Sequence, residues 1–429
     1  MTKLLYLVNM DTIYLIFARY NNKTIARIEK INRFYFENLE KTNLESAWKL
    51  FLAVLLASFY AVLFYLMFSS EQLLDFHSFY FSSQMLAKGG NPYQILSTIY
   101  FPTQKLVPAN LNPPIVLFFL NPLTTLSYYT AVIIWTVFSF ILGLIGAKIA
   151  FSYAFSPEYI KKNGFYLYFI YLLSFPVLMN TGLAQIGLIL FFFLMTGYHF
   201  YMRERDYFAG ILWGILIAIK FFPALLIVYA FVQKRYRVCW VMLAVFIFLS
   251  LLPLCLYGIK IYSHYFLMMS QINWYGKSWN ASIFGIIYRL LNTEAEQNWN
   301  LTMLIYGVLF AVFFILYLIK IIQIERFKIK HKSFALTSVM MLFLSPFGWL
   351  YYFPLLVFPL SLTWLIFLSQ KKLSKLKVSW FICLFLINVP INNIPLTMMH
   401  SLVGKLSYYS FNFYGLLILL YFMTFCMEN

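Results

Sequence analysis

The chain of 429 residues is 62% hydrophobic, 21% aromatic and only 11% charged, with a mean hydropathy of +0.78. Soluble domains carry about 45–50% apolar and about 25% charged residues, so a water-soluble globule is excluded and length is better counted in membrane spans of about 20 residues. The formal charge of +18 would point to nucleic acid in a soluble protein, but in a polytopic one it sets orientation, because cytoplasmic loops hold the excess Lys and Arg.

Residues 1–46 are the most hydrophilic stretch and predict a cytoplasmic or interfacial arm. The first twenty residues are apolar but interrupted by Asp11, with no small-residue cleavage site after them, so no cleavable signal peptide is expected. Ala47–Phe68 is a clear span, and Ser69–Asn112 is polar enough to leave the membrane. Pro113–Pro122 is apolar but too short to cross.

Further spans are predicted near 128–151, 164–180, 182–202, 238–257, 299–324, 378–398 and 411–427. Two apolar runs carry a break: Tyr207–Val232 at Lys220-Phe-Phe-Pro223, and Ser333–Ser369 at Ser345-Pro346-Phe-Gly348. Proline removes a backbone donor and disfavours helix before it. A break at membrane depth survives only where protein or a wet cavity covers the backbone. Counting each run as two short helices gives about twelve spans with both ends inside.

That topology places most of the basic residues on the cytoplasmic side and leaves Lys88, Lys105, Lys260, Lys277, Arg289 and Lys405 outside, with Lys220 ambiguous. The basic excess is then an orientation signal, and no nucleic-acid partner is expected. The four cysteines are scattered in apolar stretches without metal-ligand spacing and read as small buried hydrophobes. No internal repeat is visible, which weighs against a transporter or flippase built from repeats. The broken runs and Lys220 are the features in favour of one.

Few acidic residues face outside: Glu71, Asp75, Glu294 and Glu296. From Asp75 to Ala87 the apolar residues recur at roughly helical spacing, predicting an amphipathic helix on the membrane surface that Gly89-Gly90 ends. Asp75 would stand at its mouth, either as a base or as a cap of the helix. His77, two residues on, points well away from it.

The run Asp75…Tyr80…Leu86-Ala-Lys-Gly89-Gly-Asn91-Pro92-Tyr93, then Asn112-Pro113-Pro114 and Asn121-Pro122-Leu123, resembles glycosyltransferase family 87, polytopic enzymes of the GT-C class. Four later segments resemble the same family: Gly182-Leu-Ala-Gln185, Ala209-Gly210 through Lys220-Phe-Phe-Pro223, Asn280-Ala-Ser282-Ile-Phe-Gly285…Arg289, and Leu344-Ser345-Pro346…Trp349. Together they cover about residues 50–370 in consistent order.

The resemblance implies an all-α transmembrane bundle, with a transferase domain over 47–429 and extracytoplasmic loops at 69–127 and 258–298. It also implies a monomer in a bacterial inner membrane. The activity implied is transfer of a hexose, mannose above all, from a polyprenyl-monophosphate donor to the hydroxyl of a lipid or glycan acceptor, with inversion. A ligase using a polyprenyl-pyrophosphate glycan is the nearest enzymatic alternative. Asp75 would be the general base, with Glu71 a weaker candidate.

For the donor phosphate the candidates are Lys220, Arg289, Lys277, Lys260 and His77. A cation in a broken apolar run is costly unless it faces a cavity or snorkels to the interface, and Arg can grip phosphate with two parallel hydrogen bonds. Sugar or acceptor contacts are expected from Tyr80, Asn91, Tyr93, Asn112, Gln185, Asn280, Ser282 and Trp349. Trp274, Tyr275 and Trp279 could stack on sugar or merely mark the interface. The phosphate leaves with its own charge and the outside acids form no compact oxygen cage, so no metal or other cofactor is expected.

Overall fold

The structure is a computed structural model describing residues 22–69, 75–94, 96–97, 106–107, 110–272, 274–292, 297–326, 331–369, 375–390, 408 and 410–426. Two compact units are distinguished, Met1–Leu63 and Phe64–Asn429. The expected arm and first span are one continuous helix, Asn22–Ser69, most of it in the first unit, of which Leu44–Phe68 is apolar enough to cross a membrane. Residues 1–21 of the arm lie outside the described residues.

The larger unit is mostly helical among the described residues, with a two-residue antiparallel pairing, in which Leu96 meets Val107 and Ser97 meets Leu106, and isolated bridges between Asn280 and Trp349 and between Asn292 and Gln297. With Leu44–Phe68, the helices Tyr128–Ala154, Tyr236–Tyr257 and Trp299–Arg326 make four that are long and apolar enough to span. One further helix pair is apolar and long enough only when taken together, and it is bent, as in a broken span or a re-entrant loop. Pro157–Leu173 and Phe175–Gly182 meet at 57°, because Ser174 is extended and Pro176 cannot continue the hydrogen-bond ladder. This moves the start of the expected 164–180 span back to Pro157.

Both predicted breaks are present. Asp206–Ile219 stops at Lys220, and the chain resumes through a tight turn into Leu225–Val232. Lys332–Leu344 stops at Ser345, and 3-10 and α-helical turns resume from Leu350 to Ser369. The expected 378–398 span is described only as Lys375–Asn388, and its residues 391–398 lie outside the described part.

Small residues set the closest helix contact. A Cβ on Gly210 or Gly214 would lie 2.7 Å from Val241 or Val245 of the neighbouring helix Tyr236–Tyr257. Glycines four apart let two apolar helices approach with backbones nearly touching, the route to tight packing where lipid supplies no hydrophobic drive. Serine caps begin several helices, as where Ser127 accepts from the Thr130 amide at 3.3 Å and Ser156 from the Tyr159 amide at 3.2 Å.

The loop helix runs Asp75–Ala87, within the predicted bounds. Gly89 ends it in the left-handed region at φ +75°, and the Gly90 amide returns to the Met85 carbonyl at 3.0 Å. Its setting differs from the surface helix expected. Phe76, His77, Ser78, Phe79, Tyr80, Phe81, Ser82 and Ser83 are all buried. The apolar Pro114–Leu120 helix, the turn Asn121–Thr125 and Tyr128–Ala154 pack around it. Burial on all sides is the correction: serines rather than charges fill its polar positions, and Ser83 satisfies itself on the Leu117 carbonyl at 3.1 Å.

Candidate active site

Asp75 opens the loop helix and turns its carboxylate into a cavity of about 420 Å³. Asn112, Gln185, Lys220, Lys277, Trp279, Trp349, Tyr351 and Tyr352 line the same space. Six residues expected to carry chemistry from six separate stretches of sequence thus share one cavity: Asp75, Asn112, Gln185, Lys220, Lys277 and Trp349. Gln185 reaches Asp75 across 110 residues, donating from Nε2 to the carboxylate Oδ2. Burial pushes the Asp75 carboxyl above its ordinary range, and the Gln185 hydrogen bond pulls it part of the way back.

Lys220 is placed by the helix break. Its backbone is extended at φ −147°, ψ 130°, so the chain turns out of the helix and the side chain enters the interior. The ammonium donates to the Leu111 carbonyl at 3.4 Å and lies 5.9 Å from the centre of the Tyr352 ring. A second cavity of about 450 Å³ begins at the same lysine and is almost wholly apolar, walled by Phe221, Phe222, Tyr306, Phe310, Met340, Met341 and Phe347. Leu111, Lys220, Trp349 and Tyr352 line both spaces. Two polar atoms in these walls, Asn112 Oδ1 and Trp349 Nε1, are buried with no hydrogen-bond partner among the described residues.

The Asn280 and Trp349 segments form one unit. Trp279–Ala281 and Gly348–Leu350 run antiparallel, the Ala281 amide bonding the Gly348 carbonyl at 2.9 Å and the Leu350 amide the Trp279 carbonyl at 3.0 Å. Asn280 is the fastener. Its Nδ2 donates to the Tyr275 and Pro346 carbonyls at 3.0 and 2.9 Å, and its Oδ1 accepts from Ser282 Oγ at 2.8 Å and the Gly348 amide at 3.1 Å. Ser282 also caps the helix Ile283–Leu291. Arg289 donates from Nη1 to the Lys277 and Asn280 carbonyls at 2.9 and 3.0 Å. These three side chains hold up the wall that carries Lys277, Trp279 and Trp349 instead of lining the cavity themselves.

Other expected residues are also used elsewhere. His77 is buried, its Nδ1 paired with the Tyr128 hydroxyl at 2.9 Å, on the aromatic side of the helix. Tyr80 donates to the Leu126 carbonyl at 2.7 Å. Asn91 accepts from the Tyr93 amide at 2.9 Å, closing the turn after Gly90, and Tyr93 Oη donates to the Asn112 carbonyl at 3.0 Å, bracing the cavity rim. Lys260 is exposed at the start of Lys260–Ser270 and lines neither cavity. Glu71, Glu294, Glu296 and the Trp274 side chain lie outside the described residues.

Sequence reasoning missed Tyr351 and Tyr352, which follow Trp349 directly and resemble any interfacial aromatics. It also did not foresee Gln185 as the partner of Asp75. Among the described residues no group of three or more His, Cys, Asp or Glu could hold a metal ion.

A largely buried carboxylate, two lysines and an adjoining apolar cavity, set among helices apolar enough to span, make up the candidate active site of a membrane protein. The profile of glycosyltransferase family 87 matches residues 110–346, more than half of the chain. The chain belongs to glycosyltransferase family 87, and it is a membrane glycosyltransferase. The match covers the segments around Asn112, Gln185, Lys220 and Asn280 and begins after Asp75. A search of curated proteins finds no match.

Proposed function

We propose that the protein transfers a hexose, mannose in the first instance, from a polyprenyl monophosphate to an acceptor hydroxyl on a lipid-linked or cell-envelope glycan. The observation that carries this reading is Lys220 in the wall common to the polar and the apolar cavity. A lipid-phosphate sugar has the same three-part layout: an apolar chain, an anionic link and a polar ring. With the prenyl chain in the apolar groove, the phosphate meets Lys220 and the sugar lies beside Asp75, with Lys277 at the exposed rim as a second cation.

The chemistry then balances without a proton for the leaving group. The acceptor O–H gives its proton to the Asp75 carboxylate as the oxygen lone pair forms a bond to the anomeric carbon. The bond from that carbon to the phosphate oxygen breaks on the opposite face, so configuration inverts, and its electron pair leaves on the phosphate beside Lys220. Hydroxyls of the sugar that reach Asn112 Oδ1 and Trp349 Nε1 would satisfy two buried groups that are costly unpaired.

The basic loops favour about twelve spans with both ends cytoplasmic, and so an extracytoplasmic site in a bacterial inner membrane. In this arrangement residues 1–46 form the arm and 47–429 the transferase domain, working as a monomer among membrane lipids. The test is product formation by purified protein in nanodiscs from radiolabelled polyprenyl-phosphate mannose and a mixed extract of envelope glycolipids. A glycosidic product of inverted configuration is expected. Movement of the labelled donor across liposomes with no glycosidic product would instead favour a flippase.

A further inference from the structure

Asp75 has no ion-pair partner among the described residues, and its carboxylate is held by an uncharged amide. That amide is itself fixed on several sides. Gln185 Oε1 accepts from the Ile186 amide at 3.3 Å, and the Gln185 amide bonds the Asn180 carbonyl at 2.8 Å. The preceding Ala184 is in the left-handed region at φ +52°, its carbonyl accepting from Trp135 Nε1 at 2.9 Å. At Gly187 an added Cβ would lie 1.9 Å from the Tyr351 carbonyl oxygen, so the turn sits against the segment that supplies Tyr351 and Tyr352. A turn with a left-handed alanine persists only where its surroundings over-determine it.

We propose that Gln185 is a positioning residue for the transfer: it anchors Oδ2 so that Oδ1 stays aimed at the acceptor, and as a neutral donor it weakens the base less than a cation in its place would. A lysine or arginine in its place would hold the carboxylate as firmly and make it a poorer proton acceptor. This role rests on Asp75 being the base. The proton moves from the acceptor hydroxyl to Oδ1, the acceptor oxygen bonds the anomeric carbon, and the departing phosphate keeps the electron pair of the broken bond.

The other titratable groups lining the same cavity are Lys220, Lys277, Tyr351 and Tyr352. On the Asp75 helix, His77 is turned to Tyr128 of the helix packed against it. All of these are unchanged in the variants below.

The experiment is the pH dependence of kcat for wild type, Gln185→Leu, Gln185→Glu and Asp75→Asn, assayed with polyprenyl-phosphate mannose in nanodiscs. Without its amide donor a buried carboxylate is harder to ionise, so Gln185→Leu should move the acid limb up by about one pH unit. Its kcat should fall about tenfold on the limb and recover at higher pH, with donor KM within about twofold. Gln185→Glu, nearly the same shape, should move the limb further, because two carboxylates then contend for one proton. It also serves if the leucine variant does not fold.

An inactive Asp75→Asn with both Gln185 variants keeping the wild-type limb overturns the positioning role and leaves the base in place. A loss confined to KM does the same. Wild-type turnover by Asp75→Asn overturns the base and this role with it.

Discussion

The Asp75 carboxyl is disfavoured as an ion by burial, and that has a consequence for stability separate from catalysis. A group whose pKa is raised in the folded state contributes stability that is present at low pH and lost as pH rises through the folded value. At neutral pH the ionised form is therefore a cost of the fold. Asp75→Asn removes that cost and keeps the shape, so its thermal midpoint in detergent should equal or exceed that of wild type, measured by scanning fluorimetry at pH 7. A midpoint several degrees lower would make the carboxylate a structural brace. At the same scale, Lys220→Met keeps the apolar stem and removes the charge at the junction of the two cavities. A fall in kcat of about 100-fold is expected, the size of losing one fixed donor to a developing anion, whereas Lys260→Met, outside both cavities, should leave turnover unchanged.

The antiparallel pairing of Trp279–Ala281 with Gly348–Leu350 shows why some motif residues do not line the cavity. Asn280, Ser282 and Arg289 stood out in the sequence because their segment resembles one of the family's motifs, and they were expected to contact sugar, acceptor or phosphate. Asn280 instead serves backbone hydrogen bonding across 66 to 68 residues, which no local pattern reveals. Asn280→Ala would strand two carbonyls, two amides and the Ser282 hydroxyl, so a loss of about 1–3 kcal/mol per uncompensated group is expected, read as a lower thermal midpoint rather than a selective change in KM. Gly187→Ala should likewise lower the midpoint, since its Cβ meets the Tyr351 carbonyl rather than a movable side chain. The loop helix was legible in its bounds, because Gly89-Gly90 ends it and Asp75 begins it. Its burial was not, because the surfaces that cover it come from Pro114–Leu120 and Tyr128–Ala154.

Across the whole chain, composition reveals apolar runs but not how they bend. Four helices are long and apolar enough to span and one apolar pair is bent at Ser174, while Gly187–Met202 and Asp206–Ile219 are apolar but shorter than a span. The breaks at Lys220 and Ser345 were readable because proline and a charge interrupt the runs; Lys220 lines both cavities and Ser345 the apolar one. The proposed orientation is open to labelling. In a cysteine-free background, a cysteine replacing exposed Lys260 should react with an impermeant maleimide from the extracytoplasmic side, and one replacing exposed Lys234 only after the membrane is opened. The central claim concerns one proton. Single-turnover glycosylation from labelled polyprenyl-phosphate mannose, wild type against Asp75→Asn in nanodiscs, should show a rate lower by about 100- to 10,000-fold in the variant; a rate within a few-fold of wild type would contradict it.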